Sequence, residues 1–236
     1  MSGHSKWANI KRKKEVNDKV KSGTFAKISR LITLAVIEGG GVKDPQTNVK
    51  LRIAIDKAKH SNMPKDNIER SIERGAGPNK ESLQEIVYEG FAPYGVALMI
   101  LTTSDSPNRT SSEIRNILDK HGGKLVNKGA VSYMFQKCAI MKIRKKNISE
   151  EAMFQLIDSV GAYDVDQDTE FYYLFIPYEQ LGKMKHDDSI LYESVEIDYR
   201  PTATIDVGEE SKAKTVLNLV DKLEALDDVH KVFSNL

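Results

Sequence analysis

The residues best equipped for chemistry crowd the start of this chain. Within residues 3–14, "GHSKWANIKRKK", Lys6, Lys11, Arg12, Lys13 and Lys14 supply five cations and no acid. Trp7, the single tryptophan, sits among them. Cations at this density attract phosphate and release its counterions; such binding is salt-sensitive and reads sequence poorly. Trp7 either anchors the segment against the folded body or offers a face for an unpaired base, a contact worth roughly 1–3 kcal/mol. The stretch has no clean apolar stripe, so an arm that orders on binding is expected.

The net charge of +1 over 236 residues conceals this cluster. Residues 1–80 hold 18 Lys and Arg against 8 Asp and Glu, a net of +10, and the remainder carries −9. A split of that size points to nucleic acid at one segment and not along the whole chain. The longest apolar runs, "VALMIL" (96–101) and "LITLAVI" (31–37), are far below the roughly 20 residues that span a bilayer. No apolar stretch of the secretory kind follows the basic start. With one cysteine, Cys138, no internal disulfide forms, and a cytoplasmic location is expected.

No enzyme signature emerges, so no catalytic residue, metal or cofactor is expected. His4, His60, His121, His186 and His230 are scattered without ligand spacing. "GGG" (39–41) lacks the continuation of a phosphate loop and reads as a helix stop. Cys138 falls in mid-strand and reads as core. The adjacent acids Asp187–Asp188 and Asp227–Asp228 read as solvated surface. In "SDSPNRT" (104–110), Asn108, Arg109 and Thr110 open a helix, where free N–H groups attract an anion or are capped by local side chains. Lys120 and His121 close the same helix, and all five are possible loop contacts for nucleic acid.

These residues need a scaffold, and periodicity supplies one. Helices are predicted over 24–38, 47–60 and from Pro64 to Gly75. Lys27 and Arg30 fall on the polar side of the first, and Arg70 and Arg74, four apart, on the outer face of the third. Beyond residue 80 the period changes to two. Strands are predicted at 85–91, 95–103 and 130–135, with a helix over 108–123. Strand 138–144, helix 149–160, strands 163–167 and 170–176, a helix near 177–190 and strand 192–199 give the split βαβ, ferredoxin-like order. Strand 203–207, helix 211–226 and strand 229–233 follow.

Several stretches carry a resemblance: "GHSKWANIKRKK", "EGGG", "KLRIAIDKAKHSNMPKDNIERSIERGAG", "YEGFAPYGVA", "NRTSSEIR", "KHGGKL" and "DDVHKVFSNL". Together they resemble the YebC/PmpR family, whose mitochondrial relatives include a translational activator of a cytochrome c oxidase subunit. The resemblance implies an α+β fold: an N-terminal three-helix domain followed by two ferredoxin-like α/β sandwich domains, the third inserted into the second. The implied domains are 1–80, then 81–130 with 201–236, and the insertion 131–200. This chain departs from the family pattern at Arg12, where histidine is common, and at Glu73, where lysine is common. Val42 and Lys43 lengthen the loop after "EGGG", and Tyr94 stands where glycine is usual, a strained choice if that turn needs a positive φ.

The resemblance also implies function. Family members are described as probable transcriptional regulators that bind DNA, and as translation factors that act on ribosomes, for instance at proline runs. The expectation is a non-enzymatic cytosolic regulator of gene expression that binds nucleic acid, DNA or ribosomal RNA. A scaffold without nucleic acid is the reading from another class. Lys6, Lys11, Arg12, Lys13 and Lys14 would grip phosphate, with Lys27, Arg30, Arg70 and Arg74 extending the patch. No stretch reads as a helix-turn-helix, which favours irregular backbone over a sequence-specific groove.

Overall fold

The computed structural model describes residues 21–77, 82–183 and 192–236. The basic residues of the arm, Trp7 and the Asp187–Asp188 pair lie outside the described residues. Helix α1 (Lys21–Glu38) carries Ile28, Ile32, Ala35 and Val36 on one buried stripe. It packs on α2 (Val49–His60) and α3 (Lys65–Ala76) through Leu51, Ala54, Ala58, Met63 and Ile68. Gly40 and Gly41 end α1 with φ of 71° and 90°, a conformation that costs a residue with a Cβ. Asn48 caps α2: its Oδ1 accepts from the Leu51 N–H, and its amide donates to the Ala35 carbonyl.

Two four-stranded antiparallel sheets follow. The first contains β1 (Gln84–Phe91), β2 (Ala97–Ser104) and β3 (Lys124–Val126). Helix α4 (Pro107–Lys120) joins β2 to β3. The chain then builds a second sheet from β4 (Phe135–Arg144), β5 (Asp164–Gln167), β6 (Phe171–Pro177) and β7 (Tyr192–Pro201), with α5 (Glu150–Val160) across it. It returns through α6 (Glu210–Glu224) to β8 (Val229–Ser234). Strand order is β3-β1-β2-β8 in the first sheet and β5-β6-β4-β7 in the second. The second order is the ferredoxin-like one, and that unit is inserted between β3 and α6.

Strand β2 is buried along its whole length because both faces of its sheet are covered. Leu98 and Ile100 meet Ile114, Leu118, Val216, Leu219 and Val220 of the two helices. Ala97, Met99 and Leu101, on the opposite face, meet Val131, Phe135 and Phe233. This alternation is what a continuous apolar run in a central strand requires.

Three predicted elements differ. Residues 130–135 form no strand; a 3-10 turn spans Ser132–Met134, and β4 starts at Phe135. The reason is Glu89 on β1. Its buried carboxylate accepts from the backbone N–H groups of Gly129, Val131 and Ser132 at 2.7, 2.7 and 3.0 Å, so these donors are not available to a ladder. Residues 203–207 form no strand, and the Ile205 N–H donates to the Asn235 carbonyl at 2.7 Å. The predicted helix near 177–190 is a 3-10 helix over Tyr178–Lys183, with 184–191 outside the described residues. The short strand β3 was not predicted at all.

Replacing Glu89 by Ala should leave three N–H groups without their acceptor. Each is a hydrogen bond to a charged group, so a loss of about 3 kcal/mol is expected, read as a lower urea midpoint. An unchanged midpoint would mean that water replaces the carboxylate at no cost. At the β1–β2 turn, Tyr94 takes φ 66°, ψ 19°, the left-handed region that glycine occupies without penalty. Its ring is 48% exposed, with Lys212 Nζ 5.7 Å from the centroid.

Candidate nucleic-acid interface

Helices α1 and α3 approach closely because small residues line their contact. Ser29 and Ser71 share a hydrogen bond of 2.7 Å, and Thr33 Oγ1 donates to the Ser71 carbonyl at 2.9 Å. A Cβ on Gly75 would lie 2.6 Å from the Thr33 carbonyl oxygen and 2.7 Å from Val36 Cβ, so only glycine fits there. Towards the other end of the pair the helices leave a cleft of about 560 Å³. Phe25, Ala26, Ser29 and Arg30 of α1 line it, facing Asn67, Arg70 and Arg74 of α3. Met63 and Leu83 contribute buried apolar surface, and Asp105, just past the end of the central strand β2, also lines it.

The arginines of this cleft differ in their freedom. Arg70 and Arg74 are exposed. Arg70 lies along its own helix, donating to the Asp66 carbonyl at 3.2 Å and to Asn67 Oδ1. Arg30 instead donates to Asp228, and to the Asp227 carbonyl at 3.2 Å. Lys27 turns away from the cleft: its ammonium donates to the Glu224 carbonyl at the end of α6. Burial lowers the Lys27 pKa, against the opposing pull of Glu224 and Asp227. Lys27 is therefore a contact between the helical domain and the first sheet, not a free cation beside Arg30.

Asp228 corrects a reading more sharply. It is 4% exposed, where a solvated pair of acids was expected. One oxygen faces Arg30; the other accepts from Arg109 at 2.7 Å, Thr110 Oγ1 at 2.6 Å and Ser104 Oγ at 3.1 Å. Burial on its own would raise the pKa of this carboxyl. Hydrogen bonds from Thr110, Arg109 and Ser104, with the Arg30 charge, outweigh that and hold it below the ordinary carboxylate value. The anion at the start of α4 is thus the protein's own. Thr110 is fully buried, so it is no loop contact for a ligand. Arg109, half exposed, also pairs with Asp105 at 2.8 Å. Asn108 is exposed, and its carbonyl accepts from Ser111 and Ser112.

Lys120 and His121 sit at the far end of α4, about 20 Å away by the rise of a 14-residue helix. His121 Nδ1 lies 2.8 Å from the Ile117 carbonyl. The structure therefore brings Arg30, Arg70 and Arg74 to one cleft and leaves Lys120 and His121 elsewhere. A second, partly buried group, also missed in the sequence, lies where the helices meet both sheets. Lys57 Nζ of α2 is 3.5 Å from His230 Nε2 of β8. Lys231 pairs with Asp198 at 2.6 Å and Glu196 at 3.6 Å on β7. Burial, then the charges of Lys57 and Lys231, push the His230 pKa well down, so the ring is neutral at pH 7. Among the described residues no three His, Cys, Asp or Glu side chains are grouped to hold a metal ion.

Residues 5–78 match the family model described as the TACO1/YebC protein N-terminal domain, and 83–236 match the one described as the TACO1/YebC second and third domain. The chain belongs to the TACO1/YebC family. Among TACO1/YebC relatives, a protein of Persephonella marina is 42% identical over 240 residues, covering 100% of this chain and 95% of the relative. One from Aquifex aeolicus is 41% identical over 239 residues with the same coverage. Both are named probable transcriptional regulatory proteins. The crystal structure of the conserved hypothetical protein Aq1575 from Aquifex aeolicus matches with a TM-score of 0.77 at 37% identity, over 93% of this chain and 91% of that one. The TACO1/YebC fold is thus shared across helical domain and sheets. No helix among the described residues is long and apolar enough to cross a membrane.

Proposed function

We propose that this chain is a non-enzymatic, cytoplasmic regulator of gene expression that grips nucleic acid through the arm and the α1–α3 face. The names of its relatives support a regulator of transcription, and DNA is the partner that role would take. The observation that carries the nucleic-acid reading is the placement of exposed Arg70 and Arg74, one turn apart, beside Arg30 at a single cleft. This face belongs to the same +10 segment as Lys6, Lys11, Arg12, Lys13 and Lys14. Phosphate oxygens fit guanidinium groups in a way that lysine ammonium groups do not match.

A second reading, a translation factor on ribosomal RNA, is favoured by the shape of this face. Its arginines line a concave cleft between two helices, which suits irregular backbone better than a major groove. Sedimentation through a ribosome gradient separates the two. Co-migration that survives DNase and is stripped by high salt supports translation; footprints on promoter DNA without co-migration support transcription.

The nucleic-acid reading itself is tested by Arg70→Gln with Arg74→Gln. Two lost phosphate contacts should lower the slope of log affinity against log salt by about 2, for DNA and RNA alike. An unchanged slope in both titrations would remove α3 from the interface.

A further inference from the structure

We infer that the α1–α3 cleft takes one unpaired nucleotide of single-stranded RNA, its base on the apolar wall and its phosphate on Arg70 and Arg74. The inference rests on the nucleic-acid reading above and names the ligand of that site. A volume of about 560 Å³ lies within the roughly 300–1,000 Å³ of small-ligand pockets. A duplex, whose bases are stacked and paired, cannot enter it; a single splayed base can.

The lining suits a base better than it suits phosphate alone. Phe25 is half-buried, and Met63 and Leu83 are 7% and 8% exposed. Together they give an aromatic and thioether surface with a π-face for any base. Pure backbone tracking needs no such surface, only cations. Asn67 adds an amide beside the apolar wall, the group that reads base edges in hydrogen bonds. Asp105 is the decisive residue for the sugar. It pairs with Arg109 at 2.8 Å and lies at the mouth of the cleft. A carboxylate repels phosphate and accepts only from donors. The ribose 2′-hydroxyl brings a donor that deoxyribose lacks.

The test uses the full chain and a short fluorescent oligoribonucleotide, its RNA duplex, the DNA strand of the same sequence and a DNA duplex. Wild type is expected to bind the RNA strand best. Ala26 is exposed and lines the cleft, so Ala26→Trp fills the site from outside the core. That variant should bind the RNA strand about tenfold more weakly, the scale of one lost base stack, with unchanged duplex affinity and an unchanged melt. If Ala26→Trp melts early, Ala26→Glu makes the same test by setting an acid beside the phosphate. Equal binding of RNA and DNA strands overturns the assignment to RNA. Equal binding of strand and duplex, or wild-type RNA affinity in a folded Ala26 variant, overturns the cleft as a nucleotide site. If the cleft fails in this way while Arg70→Gln with Arg74→Gln still lowers the salt slope, the nucleic-acid reading stands alone. If wild type binds none of the four, both fall.

Discussion

Replacing Asp228 by Ala should lower stability by about 3 kcal/mol. The estimate sits at the lower end of the roughly 3–5 kcal/mol for breaking a buried ion pair. The side chains of Arg30 and Arg109 are 33% and 47% exposed, so water takes up part of what they lose. With the carboxylate gone, Ser104 Oγ can donate across 2.7 Å to Thr110 Oγ1, and Thr110 can turn its single proton to the Ser106 carbonyl. For a chain of this length the melting temperature should drop by roughly 6–12 °C. The effect has a pH signature. The folded-state pKa of Asp228 lies below its ordinary 3.8, so its contribution is complete above that value and fades as pH falls through the lower folded one. Asp228→Asn, which does not ionise, should therefore lose less stability than wild type as pH drops through that window. Melts within about 2 °C of wild type at neutral pH would show that the helical domain is held to the first sheet by other contacts.

Deleting residues 1–14 should abolish nucleic-acid binding at physiological salt, leave only weak binding at low salt, and leave the melting temperature unchanged. Five cations leave with the segment, and each phosphate they neutralise contributes about 0.9 to the salt slope on duplex DNA. A fall of about 4 in that slope is the expected reading. Among the described residues the helices and both sheets already build four hydrophobic clusters of their own. Wild-type affinity across the titration would transfer the whole function to the α1–α3 face. Trp7→Leu then separates the two roles of that side chain. Leucine can still anchor but stacks poorly, so lost RNA binding with an unchanged melt assigns Trp7 to a base.

Where one residue type dictates local geometry, the sequence was a good guide. The 3.6 period of Phe25, Ile28, Ile32 and Ala35 announced α1, and "GGG" announced its end, because both are properties of a single segment. The alternation through 138–199 announced the strands of the second sheet for the same reason, whereas its insertion into the first came only from the family resemblance. Tyr94 stands where the family resemblance implies glycine, strained if the turn needs a positive φ, and its φ is positive. What stayed hidden depended on distant partners. Asp228 looks like any surface acid until Arg30, 198 residues away, and Thr110, 118 away, are brought to it. Glu89 looks like a solvent-facing strand residue, yet it is what turns 129–132 away from a β ladder. Lys27 and Arg30 share a helix face in sequence, but the C-terminal turn at 224–228 claims both. The arm's charge was legible from composition alone, whereas the apolar lining beside Arg70 and Arg74 needed α1 and α3 placed together.

The insertion has a kinetic consequence. Strand β2 must find β8 across a long stretch of chain; Ser104 and Asp228 alone are 124 residues apart. Loop closure over that distance carries an entropic penalty and slows folding. The inserted sheet shortens the search. Its strands β4 and β7 pair with Phe135 opposite Pro201, so its entry and exit points lie side by side once it forms. Formed first, it acts as a clasp that tethers the two halves of the first sheet at high effective concentration. The element that interrupts the first sheet in sequence brings its two halves together in space.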